Sequence, residues 1–228
     1  MKEFYSGLMV GLVQTGIGHP LDTIKTNFQN KTKLNLSKKR FQTLYRGVKY
    51  PMLASVLTNG CLFYSNKYFF DKFKNHYYSG FVTGIICTPL INGFEAMKVQ
   101  HQINEKSMIY KNKLKILRLG LSTTLLRESI AGSLYFGTYN YLRKNYNSFI
   151  SGSLAGVSSW LFTYPIDVIK TRIQSGDSKN WNQAILKGGL WNGLTICLIR
   201  SFIVNGSSFY LYDYINNSQF FENISNDF

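Results

Sequence analysis

The sequence predicts an all-α membrane protein: six transmembrane helices laid out as three tandem repeats of two. Three observations carry this prediction. A ten-residue motif returns at spacings of 73 and 72 residues, six largely uncharged stretches are each about long enough to cross a bilayer, and the basic residues gather at one set of helix ends.

The motif is plainest at Pro165-Ile166-Asp167-Val168-Ile169-Lys170-Thr171-Arg172-Ile173-Gln174 and at Pro20-Leu21-Asp22-Thr23-Ile24-Lys25-Thr26-Asn27-Phe28-Gln29. Between them, Gly93-Phe94-Glu95-Ala96-Met97-Lys98-Val99-Gln100-His101-Gln102 keeps the pattern, with glycine at the proline position and Glu as the acid. Upstream of each copy stand two glycines four apart, Gly7/Gly11, Gly80/Gly84 and Gly152/Gly156, and downstream Gly47, Gly120 and Gly193 recur at a spacing of 73. A fixed period of this size marks an internal repeat. It divides the chain into residues 1–76, 77–146 and 147–228, three parts of one structural domain.

Uncharged stretches cover residues 4–21, 50–66, 77–94 and 145–166, while 119–142 is broken only by Arg127-Glu128 and 188–212 only by Arg200. Each is close to the ~20 residues a helix needs to span a membrane. Mean hydropathy is nevertheless only −0.10. Helices that face lipid on one side and a water-filled cavity on the other reconcile the two facts. Charges inside a membrane are costly, which makes Arg127, Glu128 and Arg200 candidates for function.

A net charge of +15 raises a rival class, the basic nucleic-acid-binding protein. The distribution of charge opposes it. Of 26 Lys and Arg, 18 fall in residues 25–49, 98–118 and 170–187, the asymmetry that the positive-inside tendency produces. Aromatic residues could serve as base-stacking platforms, but many of them lie inside the apolar spans. Cys61, Cys87 and Cys197 are odd in number and far apart, with neither a disulfide framework nor metal-ligand spacing. Residues 4–17 are apolar but run into His19-Pro20-Leu21-Asp22 without an Ala-x-Ala site, so they read as structure rather than as a cleaved signal.

In order, span one runs from Met1 to about Gln29. Pro20 removes a backbone hydrogen bond and tilts the last turns inward, taking with them Asp22 and Lys25, which share a face three residues apart. A basic link with a short helix around residues 38–45 follows, and span two runs from Tyr45-Arg46-Gly47 to about Lys74. In the second repeat Gly93 stands at the bend, with Pro89 four residues earlier; its second span opens at Leu117-Arg118-Leu119-Gly120, passes Arg127-Glu128 and ends near Tyr139-Asn140. The third runs from Ser151 through Pro165, then from Trp191-Asn192-Gly193 past Arg200 to Tyr212-Asp213, with a frayed polar end.

Three copies of Pro-x-[Asp/Glu]-x-x-[Lys/Arg], each followed by a basic link and a span opening on Arg-Gly or a relative of it, resemble the mitochondrial carrier family over nearly the whole chain. The resemblance implies six tilted helices about a pseudo-threefold axis, short matrix helices, and solute exchange across the mitochondrial inner membrane by alternating access. It implies bends at Pro20, Gly93 and Pro165. It also implies a matrix gate in which Asp22 pairs with Lys98, Glu95 with Lys170 and Asp167 with Lys25, braced by Gln29, Gln102 and Gln174. The opposite, cytoplasmic gate departs from the family pattern. Tyr139-Asn140-x-x-Arg143 and Tyr212-Asp213-x-x-Asn216 carry amides at Asn140 and Asn216, register from Gly47 puts Lys67 and Phe70 at the motif positions of span two, and Phe70-Asp71-x-x-Lys74 fits only one turn later. A weak gate is expected there. Arg46-Gly47 and Gly193 resemble the family's cardiolipin-binding helix starts, simple helix starts being the alternative.

Register from the three downstream glycines aligns Ala54, Arg127 and Arg200, and after them Ser55, Glu128 and Ser201. In the family this level is the substrate site, and Arg127-Glu128 with Arg200 is similar to the ornithine and carnitine branch. Arginines grip carboxylate or phosphate in fork geometry, and Glu128 suits an ammonium; an internal Arg127-Glu128 pair would leave Arg200 alone to hold an anion. Where basic amino-acid carriers have a further acid, this chain has Thr58 and Asn59. Two arginines against one acid also suit a nucleotide or deoxynucleotide, which stands as the alternative cargo. Usage heavy in Asn, Lys, Ile, Tyr and Phe points to an AT-rich, compact genome of a parasite or a large virus, the membrane being a host cell's in the viral case. A scaffold that has lost transport is a third class.

No phosphate-binding loop, His-Glu-x-x-His or nucleophilic triad is readable from three histidines, of which His19 and His101 flank the gates and His76 lies at a loop. The expectation is a carrier and not an enzyme: a monomer without cofactor or metal, whose partners are a small-molecule substrate and cardiolipin and not nucleic acid.

Overall fold

The computed structural model describes residues 2–29, 45, 48–103, 120–174 and 176–217, and every regular element among them is helical. These are α1 (Lys2–Gln29), α2 (Lys49–Phe73), α3 (His76–Ile103), α4 (Leu121–Leu142), α5 (Ser148–Gln174), the short α6 (Trp181–Leu186) and α7 (Leu194–Asn217). The expected helix around 38–45, Arg46 and Gly47, the opening of span four at Leu117–Leu119 and the polar end after Asn217 lie outside the described residues, as do the side chains of Asp22, Lys25, Gln29, Lys98 and Gln102.

Local chemistry sets the helix ends. Lys74 takes a left-handed conformation at φ 54° and gives its N–H to Phe70 O, ending α2. The side-chain oxygen of Asn75 then accepts the N–H groups of Tyr77 and Tyr78 at 2.9 and 3.0 Å, which starts α3 at once. Asn147 does the same for Ile150 ahead of α5. Gly120, at φ 70°, turns the chain into α4. His76 is therefore the first residue of a helix, not part of a loop, and α3 passes through both Pro89 and Gly93 unbroken.

Each long helix packs on its neighbours in sequence, and α7 returns to α1, so the six close into a ring. The broadest contacts are within α1/α2, α3/α4 and α5/α7. Small residues explain them. A Cβ on Gly80 would lie 2.2 Å from Gly132 O, and one on Gly84 2.2 Å from Glu128 O, so only glycine lets these backbones touch. Gly7 and Gly11 meet α2 in the same way, and Gly152 and Gly156 meet α7.

Burial is inverted relative to a water-soluble fold. Among the described residues, polar side chains outnumber apolar ones in the buried set, whereas Leu53, Ile86, Leu126, Phe162, Ile199 and Phe202 face outward. Soluble proteins bury such residues and rarely expose broad apolar surface. Four buried hydroxyls bond to a carbonyl of their own helix: Thr15 to Gly11 O, Thr88 to Gly84 O, Thr163 to Ser159 O and Ser208 to Val204 O. By length and composition, one described helix, over Leu194–Asn216, is apolar enough to cross a membrane.

Replacing Gly80 by alanine should lower stability by about 1–3 kcal/mol through overpacking, whereas Gly16→Ala, with nothing within 4 Å of its added carbon, should not. Thermal unfolding of the detergent-purified variants checks the contrast.

Candidate functional site

The motif on α5 points two of its side chains inward. Lys170 is buried at 2% side-chain exposure and donates to Glu95 Oε2 on α3, while the acid keeps 37% of its surface open. The structure thus brings together Glu95 and Lys170; the two other expected pairings involve side chains outside the described set. Gln174, expected as a brace beneath this pair, instead donates to Asn92 Oδ1 at 3.1 Å. Asn92 also accepts the hydroxyl of Thr124 at 2.7 Å, so one amide oxygen ties α3, α4 and α5. Asn92 stands just before Gly93. At the matching place before Pro165, Tyr164 donates to Asn192 O at 2.6 Å, and before Pro20, His19 stacks on Tyr45. In every repeat the residue ahead of the motif's Pro or Gly meets the start of the following span, a regularity that was open to the sequence but hidden by three different residue types.

Further along the axis, Arg127 on α4 is largely buried. It pairs with its neighbour Glu128, reaches Asp167 Oδ1 at 3.4 Å, and lies over the Trp160 ring at 4.8 Å. The internal Arg127-Glu128 pair is therefore the arrangement adopted. Trp160 and Asp167 are seven residues apart, two turns of α5, so both face the same guanidinium. Trp160 was not singled out from sequence. The guanidinium of Arg200 lies against Gly18 on α1, where an added Cβ would be 3.1 Å from Nη2. Asn59 is not turned to this space: its amide donates to Gln14 Oε1 at 2.7 Å and to Ser55 O at 2.8 Å, which fastens α2 to α1. Thr58 gives its hydroxyl to Ala54 O in its own helix.

The opposite end is closed by rings. Phe63, Phe136 and Phe209 sit at the same register, 73 residues apart, one on each of α2, α4 and α7. Their centroids are 5.6, 5.8 and 6.4 Å from one another, a near-equilateral triangle on the axis. Tyr139 stacks on Phe209 at 3.7 Å and Tyr212 on Phe63 at 4.4 Å. Such pairs contribute about 0.5–1.5 kcal/mol each beyond burial. A search of the sequence for charged motifs passed over this triad.

Beyond the rings, ionic contacts are sparse among the described residues. Asp213 accepts from Arg143 at 2.8 Å and from Ser148 at 2.5 Å; the Arg143 guanidinium is held above its ordinary pKa, first by that hydrogen bond. Lys67 pairs with Asp71 inside α2 rather than across helices, and Lys74 lies over the Phe70 ring. Asn140 donates to Phe136 O in its own helix, and Asn216 accepts from Ser6 on α1. His76 stacks on Phe70 at 3.9 Å beside an open cleft that also borders Lys67 and Asn140. Partial burial, then Lys144 and Lys67, push its pKa below 6.5.

At the start of α7, Asn192 and Leu194 give their N–H groups to the carbonyls of Gly189 and Trp191, with Gly193 between the two donors at φ 87°. No group of three or more metal-ligating side chains occurs among the described residues.

The profile of the mitochondrial carrier protein family matches residues 1–81 and 143–223. The unmatched middle contains Gly93, where both matched motifs have proline. Individual relatives align over most of the chain, the middle included. The mitochondrial arginine transporter BAC2 of Arabidopsis thaliana is 28% identical over 264 residues, covering 93% of this chain and 89% of that protein. A mitochondrial basic amino acids transporter of Bos taurus is 26% identical over 268 residues, covering 91% and 88%. The glutamate/glycine mitochondrial carrier ymc1 of Schizosaccharomyces pombe is 23% identical over 278 residues, covering 94% and 93%.

Glu95→Gln should destabilise the fold toward the lower end of the about 3–5 kcal/mol typical when a buried charge loses its partner, since the lysine stays buried while the acid is partly solvated. Adding Lys170→Met should recover part of that loss in thermal unfolding. His76 yields a pH signature. Its folded pKa is depressed, so the unfolded chain binds more protons below pH 6.5, and stability present above that value is lost as pH falls through the folded pKa. The melting temperature of His76→Phe, which keeps a ring on Phe70, should fall less steeply over the same window.

Proposed function

The chain belongs to the mitochondrial carrier protein family, and from that premise we propose that it exchanges an amino acid, of the basic or neutral zwitterionic kind, by alternating access. As a family member it is a small-metabolite transporter of the mitochondrial inner membrane and not an enzyme. The cargo reading is carried by one observation. Arg127 and Glu128 form a buried ion pair beside Asp167, with Arg200 on the next face of the ring.

An amino acid is itself such a pair. Its carboxylate can replace Glu128 on Arg127 or bind Arg200, and its ammonium can replace Arg127 on Glu128, so no charge is left alone in a low-dielectric site. A nucleotide would bring phosphates against Glu128 and Asp167. The relatives named for arginine and basic amino acids support the same choice, and the nucleotide alternative is not favoured.

The wider architecture belongs to this reading: six tilted membrane spans, α1–α5 and α7, in three repeats over residues 1–76, 77–146 and 147–228. Outward apolar faces and a polar interior support it, and they explain why five of the six fall short of a simple apolar test. The Glu95–Lys170 pair is assigned to the matrix gate, with Asp22–Lys98 and Asp167–Lys25 as its counterparts. The phenylalanine triad with Arg143–Asp213 is assigned to the cytoplasmic one. A cardiolipin headgroup at the starts of α2 and α7 is part of the proposal, as is function as a monomer.

Proteoliposomes loaded with L-arginine should show saturable uptake of labelled L-arginine. Arg200→Ala should raise KM roughly 10–100-fold, the loss expected for a charge-assisted hydrogen bond worth about 1.5–3 kcal/mol. Counter-exchange of ATP or a deoxynucleotide without any amino acid would overturn the assignment.

A further inference from the structure

The proposed cargo site and the proposed gate share a side chain. Asp167 comes from the Pro165 motif, yet its carboxylate lies 3.4 Å from Arg127 Nε, on the residue at cargo level. The guanidinium is thus bracketed by two of the chain's own acids, with Trp160 beneath it. Any incoming carboxylate that takes Arg127 has to displace one of them.

The two acids are not equal. Glu128 adjoins Arg127 on the same helix and its side chain is 10% exposed, whereas Asp167 reaches across from α5, makes the longer contact and is 23% exposed. Displacing Asp167 leaves its carboxylate a route to water; displacing Glu128 has to move a more buried acid from the arginine beside it on the same helix. Asp167 is the acid that gives way.

We propose that Asp167 is a built-in competitor for the substrate carboxylate at Arg127, so that loading the site releases this acid to the gate. Resting on the amino-acid reading above, the proposal makes Asp167 a positioning residue that sets affinity and couples occupancy to closure. An empty carrier keeps Asp167 on Arg127, away from the gate. A loaded one frees it, which ties the gate's movement to the presence of cargo.

The test separates affinity from turnover. For L-arginine exchange in proteoliposomes, Asp167→Asn should lower KM about fivefold, close to 1 kcal/mol at 1.4 kcal/mol per tenfold, while the maximal rate falls. A residue with only a structural or gating role gives no gain in affinity. Should the variant be too slow to assay, the thermal shift that L-arginine produces in detergent-purified protein should be larger for Asp167→Asn than for the wild type, and Asp167→Glu should return it toward the wild-type value. An unchanged or raised KM, or an equal or smaller shift, overturns the proposal while leaving the cargo assignment intact. A wild-type protein that neither transports nor responds to L-arginine removes both.

Discussion

A polar group placed inside a ring of helices has to find its partner within the ring, and this constraint organises the molecule. The outward faces are apolar, so nothing on that side can solvate a stray charge or amide. The buried lysine sits on Glu95, Arg127 on two carboxylates, Asn59 on Gln14 and Ser55, and Asn92 on Thr124 and Gln174. Hydroxyls turn back on the carbonyl four residues earlier. These contacts join helices only because glycines bring the backbones within reach. Where Gly84 meets Glu128 O, close approach and the placing of the key acid are the same event.

The two ends of the ring are closed by different physics. One end uses ions, exemplified by Glu95 and Lys170, a buried lysine held by a partly open acid. The other uses phenylalanines at a shared register, whose attraction comes from burial and ring packing and is indifferent to salt. Arg143–Asp213 adds an ionic contact at a partly exposed position, where such pairs are worth about 0–1 kcal/mol. The amides at Asn140 and Asn216 therefore do not leave that end undefended. They mark a replacement of charge by aromatic surface.

What could be read from the chain follows from what repeats in it. The period exposed the motif, the glycine faces and the residues at cargo level, because identical side chains stood at equal spacing. The same period contained Phe63, Phe136 and Phe209, but apolar residues are common enough in a span that their register carried no signal until the structure put the rings together. Asn59 shows a different limit: register gives its depth along the helix, but not that its amide bonds to Gln14 on α1. Gln174 donates to Asn92, a partner 82 residues away that no local pattern could announce. Trp160 needed two pieces of geometry at once, the α5 face and the reach of Arg127.

The asymmetry between the two arginines follows from the same accounting of partners. Arg127 has Glu128 beside it in sequence, so its charge is balanced before any cargo arrives, and binding there is an exchange of partners rather than a gain. Arg200 is followed by Ser201 at the equivalent place. No acid adjoins Arg200 in sequence as Glu128 adjoins Arg127. On the proposed reading, an arriving carboxylate exchanges with Asp167 while Glu128 keeps its place, so the pair adjacent in sequence is the fixed part of the site and the reach from α5 the movable one. On the proposed amino-acid reading, a single small solute would bridge α4 and α7, exchanging partners at Arg127 and making its second contact at Arg200.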